Sequence, residues 1–183
     1  MGLRSCGSRE KTAANGTENH TDNAPPLPLA VIDIDGVVAD VRHRVKYLEA
    51  RPKDWDGFFG AAADDPPLAE GLARVAALAT ECEIVWLTGR PEWLRAVTQD
   101  WLARHGLPVT RLLMRGNQDR RPARHVKLAE LRRLGSRREV RLVIDDDVAV
   151  VTALAEDGWA VEHADWVAYA PELGTAQEES GRT

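Results

Sequence analysis

The feature that most restricts this chain is an alternation between two hydrophobic periods. Leu29-Ala30-Val31-Ile32, continued by Ile34, is a short uninterrupted apolar run, and Ile84-Val85-Trp86-Leu87 and Leu142-Val143-Ile144 are two more. Runs this short and apolar at every position suit strands covered on both faces. Leu112-Leu113-Met114 is a weaker example, and Trp159-Ala160-Val161 is a candidate fifth. Between the runs the period becomes helical. Leu68, Leu72, Val75, Ala76 and Ala79 form one stripe. Trp93, Val97 and Trp101, flanked by Leu94 and Leu102, form another that starts near Pro91 and stops at Gly106. Residues 126–134 and 148–155 complete the helical set. The alternation predicts an α/β fold, a three-layer Rossmann-like parallel sheet with helices on both faces.

The 183 residues suit one domain, placed at 29–170. Residues 1–28 are polar, lack periodicity and end in Ala24-Pro25-Pro26-Leu27-Pro28, so they read as a disordered tail. Residues 171–183 read as a frayed terminus. Residues 40–67 form a small insertion after the first strand rather than a large cap. No apolar stretch is long enough for a membrane span, the first twenty residues carry no apolar signal-like segment, and the two cysteines make no disulfide framework. The expected location is cytoplasmic. Charge is uneven: residues 99–141 hold 12 basic and 4 acidic side chains, residues 142–183 hold 1 and 10. A polyanionic partner is therefore compatible with a net charge of -5. The plainer expectation for most of these arginines is a solvated helix face.

Parallel sheets place ligands beyond the carboxyl ends of their strands. Here those positions carry Asp33-Ile34-Asp35-Gly36, Thr88-Gly89-Arg90 and Asp145-Asp146-Asp147. Asp-x-Asp-Gly alone is compatible with a turn, a cation site or a nucleophile beside its acid. A second acidic cluster at another strand end favours a cation, since crowded carboxylates repel without one. Mg²⁺ suits such hard oxygen donors. Asp33 and Asp145 are the first-choice ligands and Asp146 an outer one; the full candidate metal set is Asp33, Asp35, Asp145 and Asp146. Asp147 is placed as the N-cap of the next helix. Thr88, Gly89 and Arg90, at a strand-to-helix turn, are placed to hold an anion through a hydroxyl, backbone N–H groups and a guanidinium.

With Lys127 between the second and third of these clusters, the ordered set Asp33-Ile34-Asp35-Gly36-Val37, Thr88, Lys127 and Asp145-Asp146 resembles the four motifs of the haloacid dehalogenase superfamily of phosphohydrolases. A narrower resemblance is to the 3′-phosphatase domains of bacteriophage polynucleotide kinase. It rests on Arg44 eleven residues after Asp33, on Gly89-Arg90, on residues 114–121 leading to Val126-Lys127, and on residues 144–151. Ala123 stands where that domain has an aspartate partnering the lysine. No Gly-x-x-x-x-Gly-Lys-[Ser/Thr] run, the mark of a P-loop kinase domain, occurs in the chain.

The resemblance implies a Mg²⁺-dependent phosphomonoesterase. Asp33 attacks phosphorus, Asp35 protonates the leaving oxygen with a raised pKa, and Thr88, Gly89, Arg90, Lys127 and Arg44 bind phosphate or substrate. The implied partners are phosphorylated nucleic-acid ends or nucleotides, with 3′-phosphate ends the first expectation. A small-monoester phosphatase and a non-catalytic phosphate- or nucleic-acid-binding module stay open as alternatives. Within the insertion, Trp55, Phe58 and Phe59 suit either a small closing cluster or base stacking.

Overall fold

The computed structural model describes residues 1–2, 25–49, 51–109, 111–168 and 171–178. The expected disordered tail lies almost wholly outside these. Five strands, β1 (Leu29–Ile32), β2 (Glu83–Pro91), β3 (Arg111–Arg115), β4 (Val140–Asp145) and β5 (Val161–His163), form one sheet in the order β3-β2-β1-β4-β5. Every pairing is parallel. The α/β expectation holds. The strand order reverses beside β1, so the crevice beyond β1 and β4 is the place where such a sheet receives a ligand.

Alternate residues on the strands serve two cores, because successive strand side chains point to opposite faces. Ala30, Ile32, Ile84, Trp86 and Ile144 pack with Val75 and Leu78 of α3 (Ala69–Leu78) and Trp101 and Leu102 of α4 (Arg95–Arg104). Leu29, Val31, Val85, Leu87 and Val143 pack with Leu131 and Leu134 of α5 (Ala123–Gly135) and Val150 and Leu154 of α6 (Val148–Glu156). Both sheet faces are thus covered. Two stripes differ in detail: Leu78 rather than Ala79 enters the core from α3, and Trp93 is 55% exposed. A 3-10 turn at Glu92–Leu94 precedes α4 and sends Leu94 inward in place of the indole.

The insertion contributes two short helices, α1 (Lys46–Glu49) and α2 (Trp55–Gly60), the latter capped by Asp54, which accepts from the Gly57 N–H. Phe58 and Phe59 join Val41, Val45, Leu48 and Leu94 in a third buried cluster. The clustering alternative for these aromatics is the one realised. Leu173 of α7 (Pro171–Glu178) completes that cluster. The expected frayed end is therefore helical over residues 171–178, because one leucine finds an apolar floor in the insertion. Residues 179–183 lie outside the described set. Among the described residues no helix is long and apolar enough to cross a membrane.

Candidate active site

β1 stops at Ile32 and the chain turns sharply, the Val38 and Ala39 N–H groups both donating to the Ile34 carbonyl. Gly36 sits in this turn with φ 73°, in the left-handed region that glycine alone enters freely. A Cβ there would stand 2.0 Å from Asp146 Oδ2. Glycine is thus required twice, by backbone conformation and by the carboxylate lying over it. Behind the turn, a Cβ on Gly71 of α3 would meet the Val37 carbonyl oxygen at 1.9 Å, so α3 seats directly on it.

The turn sends its two acids to different partners. Asp33 is 3% exposed and accepts from the Ile34 N–H at 2.7 Å and from Lys127 Nζ at 2.6 Å. Lys127, on α5, also donates to Asp145 Oδ2 at 2.6 Å. Ala123, one turn before it, is buried among apolar neighbours, and the lysine takes its partners from β1 and β4 instead. Burial opposes the ammonium charge, but Asp145 and Asp33 more than offset this and hold it well above its ordinary range.

Asp33, Asp145 and Asp146 bring carboxylate oxygens within 4.8 Å of one another, all buried. Burial, with the Asp35 charge, pushes Asp33 up, while burial and repulsion within the cluster push Asp145 to about 7 and Asp146 well above the carboxylate range. Three buried carboxylates face one ammonium, and Asp146 Oδ1 has no partner among the described residues. This excess of hard, unsatisfied oxygens fits Mg²⁺. Asp147 caps α6 as expected, accepting from the Ala149 N–H at 2.8 Å.

Asp35 turns the other way. Its Oδ1 accepts from Arg44 Nη2 at 2.8 Å and from Arg90 Nε and Nη2 at 2.9 and 2.6 Å. Burial pushes this carboxyl up, but the two guanidiniums prevail and hold it at about 2. Two expectations change here. The Asp35 carboxylate serves the arginines and is outside the cluster that fits a cation. The raised pKa expected of an acid is also absent in the free protein, because two buried positive charges stabilise the anion.

Arg44 and Arg90, expected to bind phosphate or substrate, are both fully buried. Each is held from behind by Asp65, whose side chain is fully buried. Asp65 accepts from Arg44 Nε at 2.8 Å, Arg44 Nη2 at 2.9 Å and Arg90 Nη2 at 2.7 Å. His43 Nε2 lies 2.8 Å from Asp65 Oδ1. Sequence reasoning missed both Asp65 and His43. The only signal at Asp65 is a carboxylate before Pro66-Pro67, far from any strand end. Arg44 Nη1 is buried without a partner among the described residues.

Thr88, Gly89 and Arg90 lie inside β2, not at a helix start, because the strand slips register between Thr88 and Pro91 and continues beside β3. Thr88 Oγ1 accepts from the Arg90 N–H at 3.2 Å, fixing the slipped segment. Arg115, paired with Pro91 across this slip, is buried; burial lowers its pKa while the Asp33 charge acts the other way. Much of the remaining basic excess pairs on the surface, Arg121 with Asp119, Arg133 with Glu130 and Arg138 with Glu83. The plain reading holds for these arginines.

Residues 28–165 match the family described as the polynucleotide kinase PNKP phosphatase domain. The chain belongs to this family. Among solved structures, a chain of the Pnkp1/Rnl/Hen1 RNA repair complex is 21% identical with a TM-score of 0.64, matching 82% of this chain and 47% of its own length. The chain thus spans about half the length of that relative. A class C acid phosphatase from Bacillus anthracis is 17% identical with a TM-score of 0.54, over 74% of this chain and 63% of that one. A haloacid dehalogenase-like protein from Streptococcus pneumoniae is 10% identical with a TM-score of 0.55, over 84% and 92%. These likenesses establish the haloacid dehalogenase-like fold. No curated protein matched the sequence.

Proposed function

We propose that the chain is a Mg²⁺-dependent phosphomonoesterase that removes 3′-phosphate from polynucleotide ends through an aspartyl-phosphate on Asp33. The observation that carries this reading is the division of Asp33 and Asp35 between two walls. Asp33 lies against Lys127 and the carboxylate cluster, and Asp35 lies against Arg44 and Arg90. A nucleophile and a proton donor must address opposite sides of one phosphorus atom, and one turn supplies both. The polynucleotide assignment rests on the family.

Asp33 forms a new P–O bond as the ester P–O bond breaks, and Asp35 delivers a proton to the departing oxygen. The same carboxylate then takes a proton from the water that cleaves the intermediate. Lys127 orients Asp33 and favours its ionised form against the effect of burial. Incoming phosphate oxygens compete with Asp35 for Arg44 and Arg90, which stay tethered to Asp65. As their hold on Asp35 loosens, its carboxyl accepts a proton more readily. Arg44 Nη1 is a spare donor for the same oxygens. Asp33, Asp145 and Asp146 would hold Mg²⁺, which would supply charge neutralisation for the phosphoryl oxygens.

The test is Mg²⁺-dependent phosphate release from a 3′-phosphorylated oligonucleotide. The 5′-phosphorylated oligonucleotide, a mononucleotide and Asp33→Asn protein run in parallel. Release from the 3′ end alone, lost in Asp33→Asn, is the expected result. Comparable turnover of the mononucleotide makes the chain a general monoesterase, and no turnover of any substrate makes it a binding module.

A further inference from the structure

The site has an aromatic margin that phosphate chemistry does not use. From Arg44 an aromatic series runs outward. Its guanidinium carbon lies 4.3 Å from the centre of the Phe58 ring. Phe58 and Phe59 meet edge to face at 5.4 Å, and Phe59 meets Trp93 edge to face at 5.7 Å and 84°. The series ends in water, because Trp93 is 55% exposed.

This exposure is costly, since an indole is among the largest apolar surfaces a side chain can bury. The turn that exposes it is also fixed. The Trp93 N–H donates to Asn117 Oδ1 at 3.0 Å, Phe59 supports the ring, and Leu94 anchors the next position in the buried cluster. A large, exposed and immobilised aromatic is the form a stacking surface takes.

Its position identifies what stacks. Pro91 and Arg115 are paired at the carboxyl rim of the sheet, directly after Arg90, whose guanidinium holds Asp35. Trp93 and Asn117 each lie two residues beyond that pair, about 7 Å of chain at most. The sugar and base of a nucleotide whose 3′-phosphate meets the Arg90 guanidinium can span this. In the same loop as Asn117, Arg120 Nη1 donates to the Asn117 and Asp119 carbonyls.

We infer that Trp93 is a base-stacking platform for the nucleotide that carries the scissile phosphate, with Arg120 beside the preceding phosphodiester. This rests on the polynucleotide reading above and deepens it. Stacking on an aromatic tolerates any base, so the platform selects for the presence of a base rather than its identity.

The experiment uses the full chain and two substrates, a 3′-phosphorylated oligonucleotide with an ordinary terminal base and the same oligonucleotide with an abasic terminal sugar. In the unsubstituted protein, KM for the abasic substrate is expected to be roughly 5- to 150-fold higher, the range of base–aromatic stacking. Trp93→Ala brings this ratio towards one by raising KM for the base-bearing substrate, while Trp93→Phe keeps most of it. A ratio unchanged by Trp93→Ala overturns the platform and leaves the 3′-phosphatase reading standing. Binding is read separately, as fluorescence quenching of Asp33→Asn protein by the base-bearing oligonucleotide, compared with Asp33→Asn/Trp93→Phe. Quenching that depends on Trp93, with no 3′ turnover by the unsubstituted protein, keeps the platform and overturns the phosphatase reading. Quenching that is the same in both proteins overturns the platform.

Discussion

Asp35 and Asp65 hold the same pair of guanidiniums. Arg90 Nη2 donates to Asp35 Oδ1 at 2.6 Å and to Asp65 Oδ2 at 2.7 Å, and Arg44 Nη2 bridges the same two acids at 2.8 and 2.9 Å. Only Asp35 belongs to the turn after β1; Asp65 holds both arginines from the insertion.

Removing that hold leaves two buried positive charges with one carboxylate. Asp65→Ala is expected to cost about 3–5 kcal/mol of stability, as breaking one side of a buried ion network does. Asp65→Asn keeps the shape and loses the charge. It is expected to fold, with kcat falling more than KM rises, because phosphate can still enter but meets misplaced guanidiniums. Urea denaturation and steady-state kinetics check the pair.

Lys127→Met leaves Asp33, Asp145 and Asp146 facing one another unneutralised. Turnover is expected to fall on the order of 10²-fold or more, comparable with losing a donor at a developing charge. Millimolar Mg²⁺ is expected to restore thermal stability to this variant without restoring turnover. Thermal melts with and without Mg²⁺, beside phosphate release, separate the two effects.

Gly36→Ala meets both constraints on that position. The backbone strain at φ 73° costs roughly 1–3 kcal/mol, and the added methyl displaces the Asp146 carboxylate. The expected outcome is a folded protein with weakened Mg²⁺ affinity, read by titrating activity against Mg²⁺.

The metal-free protein carries an unusual pH signature. Burial raises Asp145 to about 7 from 3.8, so the folded state holds a proton that the unfolded state has released between those values. Stability from this group is complete below about pH 4 and is lost as pH rises through 7. Metal-free protein is therefore expected to melt higher at pH 5.5 than at pH 8, and saturating Mg²⁺ is expected to narrow the difference. Acid denaturation by other carboxylates, Asp35 among them, sets in below this window.

The sheet and its rim of carboxylates were legible because they follow from local pattern, whereas Lys127, on a helix face, was marked only by the family resemblance. Continuous apolar runs marked β1, β2 and β4, and acids directly after them reached one rim by geometry alone. The arginine wall was half legible. Arg90 was marked by its place after an apolar run and Arg44 by the family resemblance, but their burial was not, since it depends on Asp65, which sits before two prolines with no periodic signal. Trp93 misled because its spacing matches the stripe of α4. The 3-10 turn ahead of that helix rotates it outward, and no residue type announces such a turn. Residues 171–178 read as tail because one buried leucine makes no pattern.

The contact between Lys127 and Asp33 spans 94 residues, and Asp145 lies further still along the chain. Loops that long close late, after local helices have formed. As the chain emerges in order, Asp33, the proposed nucleophile, is made first and waits, with neither Lys127 nor Asp145 and Asp146 yet in existence. On the proposed function, turnover therefore waits until β4 slots in beside β1, and a nascent fragment holding Asp33 and Asp35 is expected to be inert.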